Sequence, residues 1–364
     1  MMVTFHKAKL LFLWSAFVLA LVPTLVGQTV SVFATGLNNP RGLKFGPDGN
    51  LYVAEGGTGG TASTVGICTQ VPVPIGPYTG GYTSRISKVA ADGTVTTVVD
   101  NLPSNMTSAL SGNLVSGVAD VAFLGGKMYA VLAGAGCSHG LVDTANGVFR
   151  VDPKGKITPI ASLSLFQRNN PVANPEPDDF EPDGTWYSMV AAHGVLFAVE
   201  PNHGELDAIT PGGAVKRIAD ISNVQGHIVP TAMVFDGHNF LVGNLDTFPI
   251  KDGSSKIMQI TPSGQITTVY IGFTTILGLA LDARGRLYVL ENTTGNPGPT
   301  PGTAKILRVD GKNNYTVIAD GATSPLSLPT AMTFGPDGNL YVSNLGFGLP
   351  PDGEGQILKI TLAD

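Results

Sequence analysis

Glu55, Glu200, Asn244, Glu291 and Asn344 stand at the same place in five copies of a repeated phrase, and all five carry side-chain oxygen. The phrase is a short apolar strand, a Gly-containing turn and a second strand, as in GLKFGPDGNLYVAE, SMVAAHGVLFAVE, AMVFDGHNFLVGN, GLALDARGRLYVLE and AMTFGPDGNLYVSN. A sixth copy, DVAFLGGKMYAVL, ends on Leu132 instead. The first strands begin with Gly42, Asp120, Ser188, Ala232, Gly278 and Ala331, of which only Asp120 is charged, and Arg41 and Tyr187 lie one position earlier. A hard cation such as Ca2+ takes roughly six to eight oxygen ligands. Glu55, Asp120, Glu200, Asn244 and Glu291 are therefore candidate metal ligands, and the cation would act as a Lewis acid on an ester or lactone carbonyl. No other cofactor is implied. The alternative is a binding site without chemistry, its mouth formed by Arg41, Glu55, Asp120, Tyr187, Glu200, Asn244, Glu291 and Asn344. A third reading is structural: the strand-end residues cap backbone donors of the next loop, and Arg41 pairs with Asp120 or Glu55. Catalytic residues stay unassigned.

Other chemistry is sparse. His139, His203 and His227 fall in long loops, where a proton shuttle is conceivable, but their spacing matches no ligand motif. HExxH and phosphate-binding loops are absent from the sequence, which removes the common zinc-protease and nucleotide classes. The acidic stretch NPEPDDFEPDG at 174–184 has the oxygen ligands for calcium, yet its prolines predict a solvated, extended loop.

The elements that must hold these residues follow from the repeats. Each copy is followed, after a variable loop, by a second hairpin such as SRISKVAADGTVTTVV, GVFRVDPKGKITPIA or KIMQITPSGQITTVY, with alternating apolar residues and Gly in the turn. Four strands per unit in six units predict an all-β, six-bladed β-propeller with four antiparallel strands per blade. The sixth unit ends after three strands, GQILKITLAD being the third, while TVSVFATGL at 29–37 is an unclaimed strand at the other end. The ring is therefore expected to close by the N-terminal strand completing the last blade, 29–34 pairing with 356–362. That makes neighbours of the two near-identical phrases, FGPDGNLYVAE at 45–55 and FGPDGNLYVSN at 334–344. The long, Gly/Pro-rich connections all share one rim, where binding is expected.

Composition limits the partners. The chain has 364 residues, of which 47 are Gly, 26 Pro and only 13% charged, with a net charge of -6 and no basic stripe, so nucleic acid is excluded as a natural partner. Lys7 and Lys9 precede an apolar run, LLFLWSAFVLALVPTLV, followed by small and polar residues. That is the layout of a secretory signal. Residues 1–27 are read as signal peptide and 28–364 as one propeller domain, secreted or periplasmic, monomeric, with no membrane span once the signal is removed. Cys68 and Cys137, the only cysteines, lie in corresponding loops of consecutive units and are expected to form a disulfide.

The succession PRGLKFGPDGNLYVAEGGTGG, GPYTGGYTSRISKV, VLAGAGCSHGLVDTANGVFRVDPKGKI and ANPEPDDFEPDGTWYSMV resembles the ScyD/ScyE family of secreted bacterial propellers over essentially the whole mature chain. The resemblance implies an extracytoplasmic six-bladed, NHL-like propeller without an assigned reaction. EPDGTWYSMV stands where that family carries Asn-Pro-Tyr. The expected function is binding of a small molecule, glycan or protein on the long-loop face, with a metal-dependent lactonase or esterase as the alternative.

Overall fold

Alternation builds the sheets, and special turns space them. In LYVAE, Leu51, Val53 and Glu55 turn to one face and are buried, and the turn before them places Gly49 at φ 77°. The Asp48 carboxylate accepts the Asn50 N–H (3.2 Å) and the Tyr52 hydroxyl (3.0 Å). The second copy repeats this, with Gly338 at φ 77° and Asp337 accepting the Asn339 N–H (3.1 Å) and the Tyr341 hydroxyl (2.9 Å). A positive φ is cheap only for glycine among ordinary residues. The shared phrase thus encodes one turn used twice.

The computed structural model describes residues 28–177, 180–347 and 353–362; the signal assigned to 1–27 lies outside them. They form an all-β propeller of six blades. Blade 1 comprises Pro40–Phe45, Leu51–Glu55, Thr79–Val89 and Val95–Met106, with the short strand Val115–Ser116 added at its edge. Blade 2 comprises Val118–Leu124, Lys127–Leu132, Gly147–Val151 and Ile157–Ser162, and blade 3 Ser188–Ala192, Val195–Glu200, Glu205–Ile209 and Val215–Asp220. Blade 4 runs Pro230–Phe235, Phe240–Asn244, Ser255–Ile260 and Ile266–Phe273, and blade 5 Ile276–Leu281, Leu287–Glu291, Lys305–Gly311 and Asn314–Asp320. Blade 6 takes Ala331–Phe334, Leu340–Asn344 and Gly355–Thr361 from the end of the chain and Thr29–Leu37 from its start. The closing pair is antiparallel, from Thr29 opposite Thr361 to Leu37 opposite Gly355, as the missing fourth strand required.

The core lies between blades. Phe197, Val199 and Leu206 of blade 3 pack on Phe240, Val242 and Met258 of blade 4, and the other interfaces repeat the pattern. Around the axis, polar groups of one blade bond backbone of the next. Ser188 Oγ donates to the Thr231 carbonyl (2.7 Å), Thr231 Oγ1 to that of Ile276 (2.5 Å) and Thr330 Oγ1 to that of Pro40 (2.6 Å). Two short helices, Leu163–Asn169 and Ile221–Gln225, sit in the connections. Among the described residues no helix is long and apolar enough to cross a membrane.

Cys68 and Cys137 form the expected disulfide, with Cα atoms 6.3 Å apart and a sequence separation of 69. Cross-linking a loop of that length contributes roughly 4 kcal/mol by chain entropy. Reduction should therefore lower the melting temperature by on the order of 5 °C in calorimetry with and without dithiothreitol. An unchanged melting temperature after complete reduction, verified by thiol titration, would show that the loops are held without it.

Candidate functional site

The five oxygen-bearing strand ends each serve backbone within their own blade. Glu55 is fully buried; its Oε2 accepts the Asn38 N–H (2.6 Å) and its Oε1 accepts Arg85 Nε (2.7 Å) and the Ser87 hydroxyl (2.5 Å). Glu200 accepts the N–H groups of Thr185 (2.8 Å) and His203 (2.6 Å). Asn244 Oδ1 accepts the Lys256 N–H (2.8 Å) while its Nδ2 donates to the Ile228 carbonyl (2.8 Å). Glu291 accepts the Thr274 N–H (2.7 Å), and Asn344 accepts that of Ser327 (2.7 Å) and donates to the Pro325 carbonyl (3.0 Å). Asn38, Thr185, Ile228, Thr274 and Ser327 all precede the first strand of the blade concerned. One capping role is therefore repeated around the ring. Burial pushes Glu291 up to about 7 and Glu200 well above the carboxylate range.

Asp120 does line the central channel, with Gly42, Ser188, Ala232, Gly278 and Ala331. Its Oδ1 accepts the Val121 N–H (2.8 Å) and its Oδ2 the Met189 N–H of the next blade (2.8 Å). A Cβ at residue 42 would sit 1.9 Å from Oδ1, so only glycine permits this approach. Burial pushes Asp120 up to about 6, against the nearby Lys44 charge and the two N–H donors. The side chain joins blade 2 to blade 3. Among the described residues, no three His, Cys, Asp or Glu side chains gather where they could hold a metal ion.

Above the channel, on the long-loop face, lies a cavity of about 570 Å³. Tyr187 and Leu277 line both it and the narrow channel space below, so they form the partition, and Arg41 lines the cavity beside them. Tyr187 crosses the mouth: its hydroxyl donates to the Thr330 carbonyl (2.7 Å), from blade 3 to the loop entering blade 6. Arg41 is 8% exposed and pairs with neither Asp120 nor Glu55. Its Nη2 donates to the Val115 carbonyl, it bonds the Tyr187 hydroxyl, and its guanidinium lies 5.9 Å from the Phe347 ring centre. Burial pushes the guanidinium down from its ordinary value, with Tyr187 opposing, and pushes the Tyr187 phenol up. Leu114, Val229, Leu245 and Phe347 give the cavity apolar walls.

The opposite wall corrects the sequence reading. The distal part of the acidic stretch is not a solvated loop: Glu181 is 3% and Asp183 4% exposed. Glu181 lines the cavity, its Oε1 accepting the Tyr78 hydroxyl (2.6 Å) and Asn202 Nδ2 (3.4 Å), its Oε2 the Thr185 hydroxyl and His139 Nε2 (3.0 Å). His139 Nδ1 faces the Ala135 carbonyl at 2.8 Å, and its Nε2 lies 3.0 Å from Glu181 Oε2, so both ring nitrogens meet oxygen. Tyr78 stacks on the imidazole, 5.1 Å between ring centres. Burial opposes ionisation of Glu181, but His139, Thr185 and Tyr78 hold its carboxyl below the ordinary range. Asp183 accepts the Ser138 N–H (2.8 Å) and hydroxyl (2.7 Å), fixing the His139 turn. His203 Nε2 bonds the Glu181 carbonyl (2.8 Å), and His227 lines the cavity. Asp178 and Asp179 of the same stretch lie outside the described residues.

No protein-family model matches the chain, and no curated protein matches it in sequence. Solved structures do match. A Bacteroides thetaiotaomicron protein of unknown function superposes with a TM-score of 0.59 at 12% identity, covering 92% of this chain and 76% of that one. A gluconolactonase from Xanthomonas campestris gives 0.54 at 10% identity, covering 93% and 91%. A luciferin-regenerating enzyme gives 0.53 at 11% identity, covering 92% and 96%. At these identities the likeness is one of fold alone.

Proposed function

We propose that this protein is an extracytoplasmic propeller of the ScyD/ScyE type that binds a small molecule on its long-loop face. The observation that carries the reading is the cavity of about 570 Å³ over the partitioned channel, with apolar walls and a few convergent polar groups. Ligand sites of small molecules have this size and this mixture. The loops around it are held by a disulfide, which is compatible with an oxidising compartment.

Metal-dependent lactone or ester hydrolysis is the alternative, supported by the fold likeness to a gluconolactonase alone. The residues present do not fit calcium as they stand. Glu55, Glu200 and Glu291 accept backbone N–H groups in three different blades, and Asp120 spends both oxygens on Val121 and Met189. Oxygen atoms pointed at N–H donors are not free to converge on a cation.

The test is a small-molecule library screened by thermal shift against the native protein and a Leu114→Trp variant, which adds bulk to the cavity wall. The expected result is a set of compounds that raise the melting temperature of the native protein only. Hits that stabilise both proteins equally, or no hits, would refute cavity binding. A stabilisation by calcium that chelator reverses would favour the alternative.

A further inference from the structure

We infer that the occupant of the cavity is a monocarboxylate with an apolar body, its carboxylate seated on Arg41. The inference rests on the small-molecule reading above and adds the ligand's chemical class. A guanidinium that is 8% exposed is costly unless it is paired. Its partners are a neutral carbonyl at Val115, the neutral hydroxyl of Tyr187 and the face of Phe347. None is an anion. Five N–H donors in a planar fork suit a carboxylate held by two parallel bonds, and two of the partners above use only part of that fork.

The surroundings fix the direction. Tyr187 and Leu277 close off the channel beneath, so a partner reaches Arg41 from the cavity. The two buried carboxylates nearby are already engaged. Asp120 accepts two backbone N–H groups, and Glu181 accepts four side-chain donors, His139 among them. Neither is available as the counter-ion. Beyond the guanidinium the ligand meets Leu114, Leu245 and Phe347, which calls for an apolar body. Half-buried Glu176 and Asp246 also line the cavity, and their charge disfavours a second anionic group. A dicarboxylate or a phosphorylated sugar is therefore a poor fit, and a bare anion such as acetate lacks the body that fills the walls.

The experiment compares a library of small aryl and alkyl monocarboxylates with their methyl esters and the corresponding amines, by calorimetry on the native protein, Arg41→Lys and Arg41→Met. The expected result is that acids bind at least tenfold more tightly than their esters and amines, with acetate weaker than the larger acids. Arg41→Met should erase that preference, and Arg41→Lys should retain part of it. Esters or amines binding as tightly as the acids would overturn the inference while leaving the cavity reading intact. Acid preference persisting in Arg41→Met would overturn it too. Absence of binding by every member of all three sets would remove the cavity reading as well. Should Arg41→Met fail to fold, the acid-to-ester ratio on the native protein decides alone.

Discussion

Deleting Thr29–Leu37 should lower the melting temperature by on the order of 10 °C or more and turn the protein into an associating species. Three losses combine. Leu37 is fully buried and Ala34 nearly so, in a cluster with Leu43, Leu51, Tyr341 and Ile357 that joins the last blade to the first. Removing one such leucine side chain typically costs about 2–5 kcal/mol. The antiparallel ladder to Gly355–Thr361 disappears, and that strand becomes an unpaired edge, open to pairing with a second chain. The ring itself stays linked by the Thr330 to Pro40 and Ser343 to Arg41 bonds, so the remaining chain keeps its propeller course while its edge is bared. Calorimetry and size-exclusion chromatography read the two effects separately. Leu37→Asp is the point-mutant version: it should destabilise through a buried charge without baring the edge, and so elute as the native protein does. A deletion variant with the native elution volume and an unchanged melting temperature would refute closure by this strand.

What the sequence disclosed here, and what it hid, has a physical basis. Blades were legible because each hairpin carries its own turn chemistry, down to the Asp48 and Asp337 carboxylates that cap identical turns. Closure was legible because one blade lacked a strand. The equivalence of Glu55, Glu200, Asn244, Glu291 and Asn344 was also legible, but not where their side chains point. Alternation held part of the answer: Glu55 shares a face with Leu51 and Val53, the face that packs into the core. A residue on that face, one strand removed from the axis, meets its own blade's entry loop before it meets the channel. Glu181 was hidden for a different reason. It lies in a long Pro-rich connection without periodicity, where local sequence does not distinguish the buried Glu181 from the half-buried Glu176. Its burial arises from loops of three blades meeting over the ring, which is a tertiary fact. Arg41 and Tyr187 were placed at the mouth from their position before the first strands, and the structure puts them there together, with Tyr187 rather than a carboxylate as the arginine's neighbour.

Stability should fall as pH rises from about 5 to 8, the reverse of ordinary acid denaturation. Burial pushes Asp207 well above the carboxylate range, with the charge of Glu205 adding to the effect and Arg217 opposing it. Glu200 is raised in the same way, Glu291 to about 7 and Asp120 to about 6. The sign follows from linkage. In the unfolded chain these carboxyls release their protons near pH 4, whereas the folded protein holds them longer. Between those limits the unfolded state binds fewer protons, so each unit of pH weakens folding by about 1.4 kcal/mol for each such group. Carboxyls shifted the other way, such as Glu181 and Asp337, are already ionised in both states above pH 5 and do not offset the trend there. The melting temperature should therefore peak near pH 5 and decline through pH 8. Asp207→Asn retains an acceptor for Trp186 Nε1, and Glu291→Gln retains one for the Thr274 N–H, while neither titrates. Both variants should flatten the slope, and the double variant should flatten it further. A native profile that is level from pH 5 to 8, or one whose slope survives both substitutions, would show that these carboxyls are ionised inside the fold.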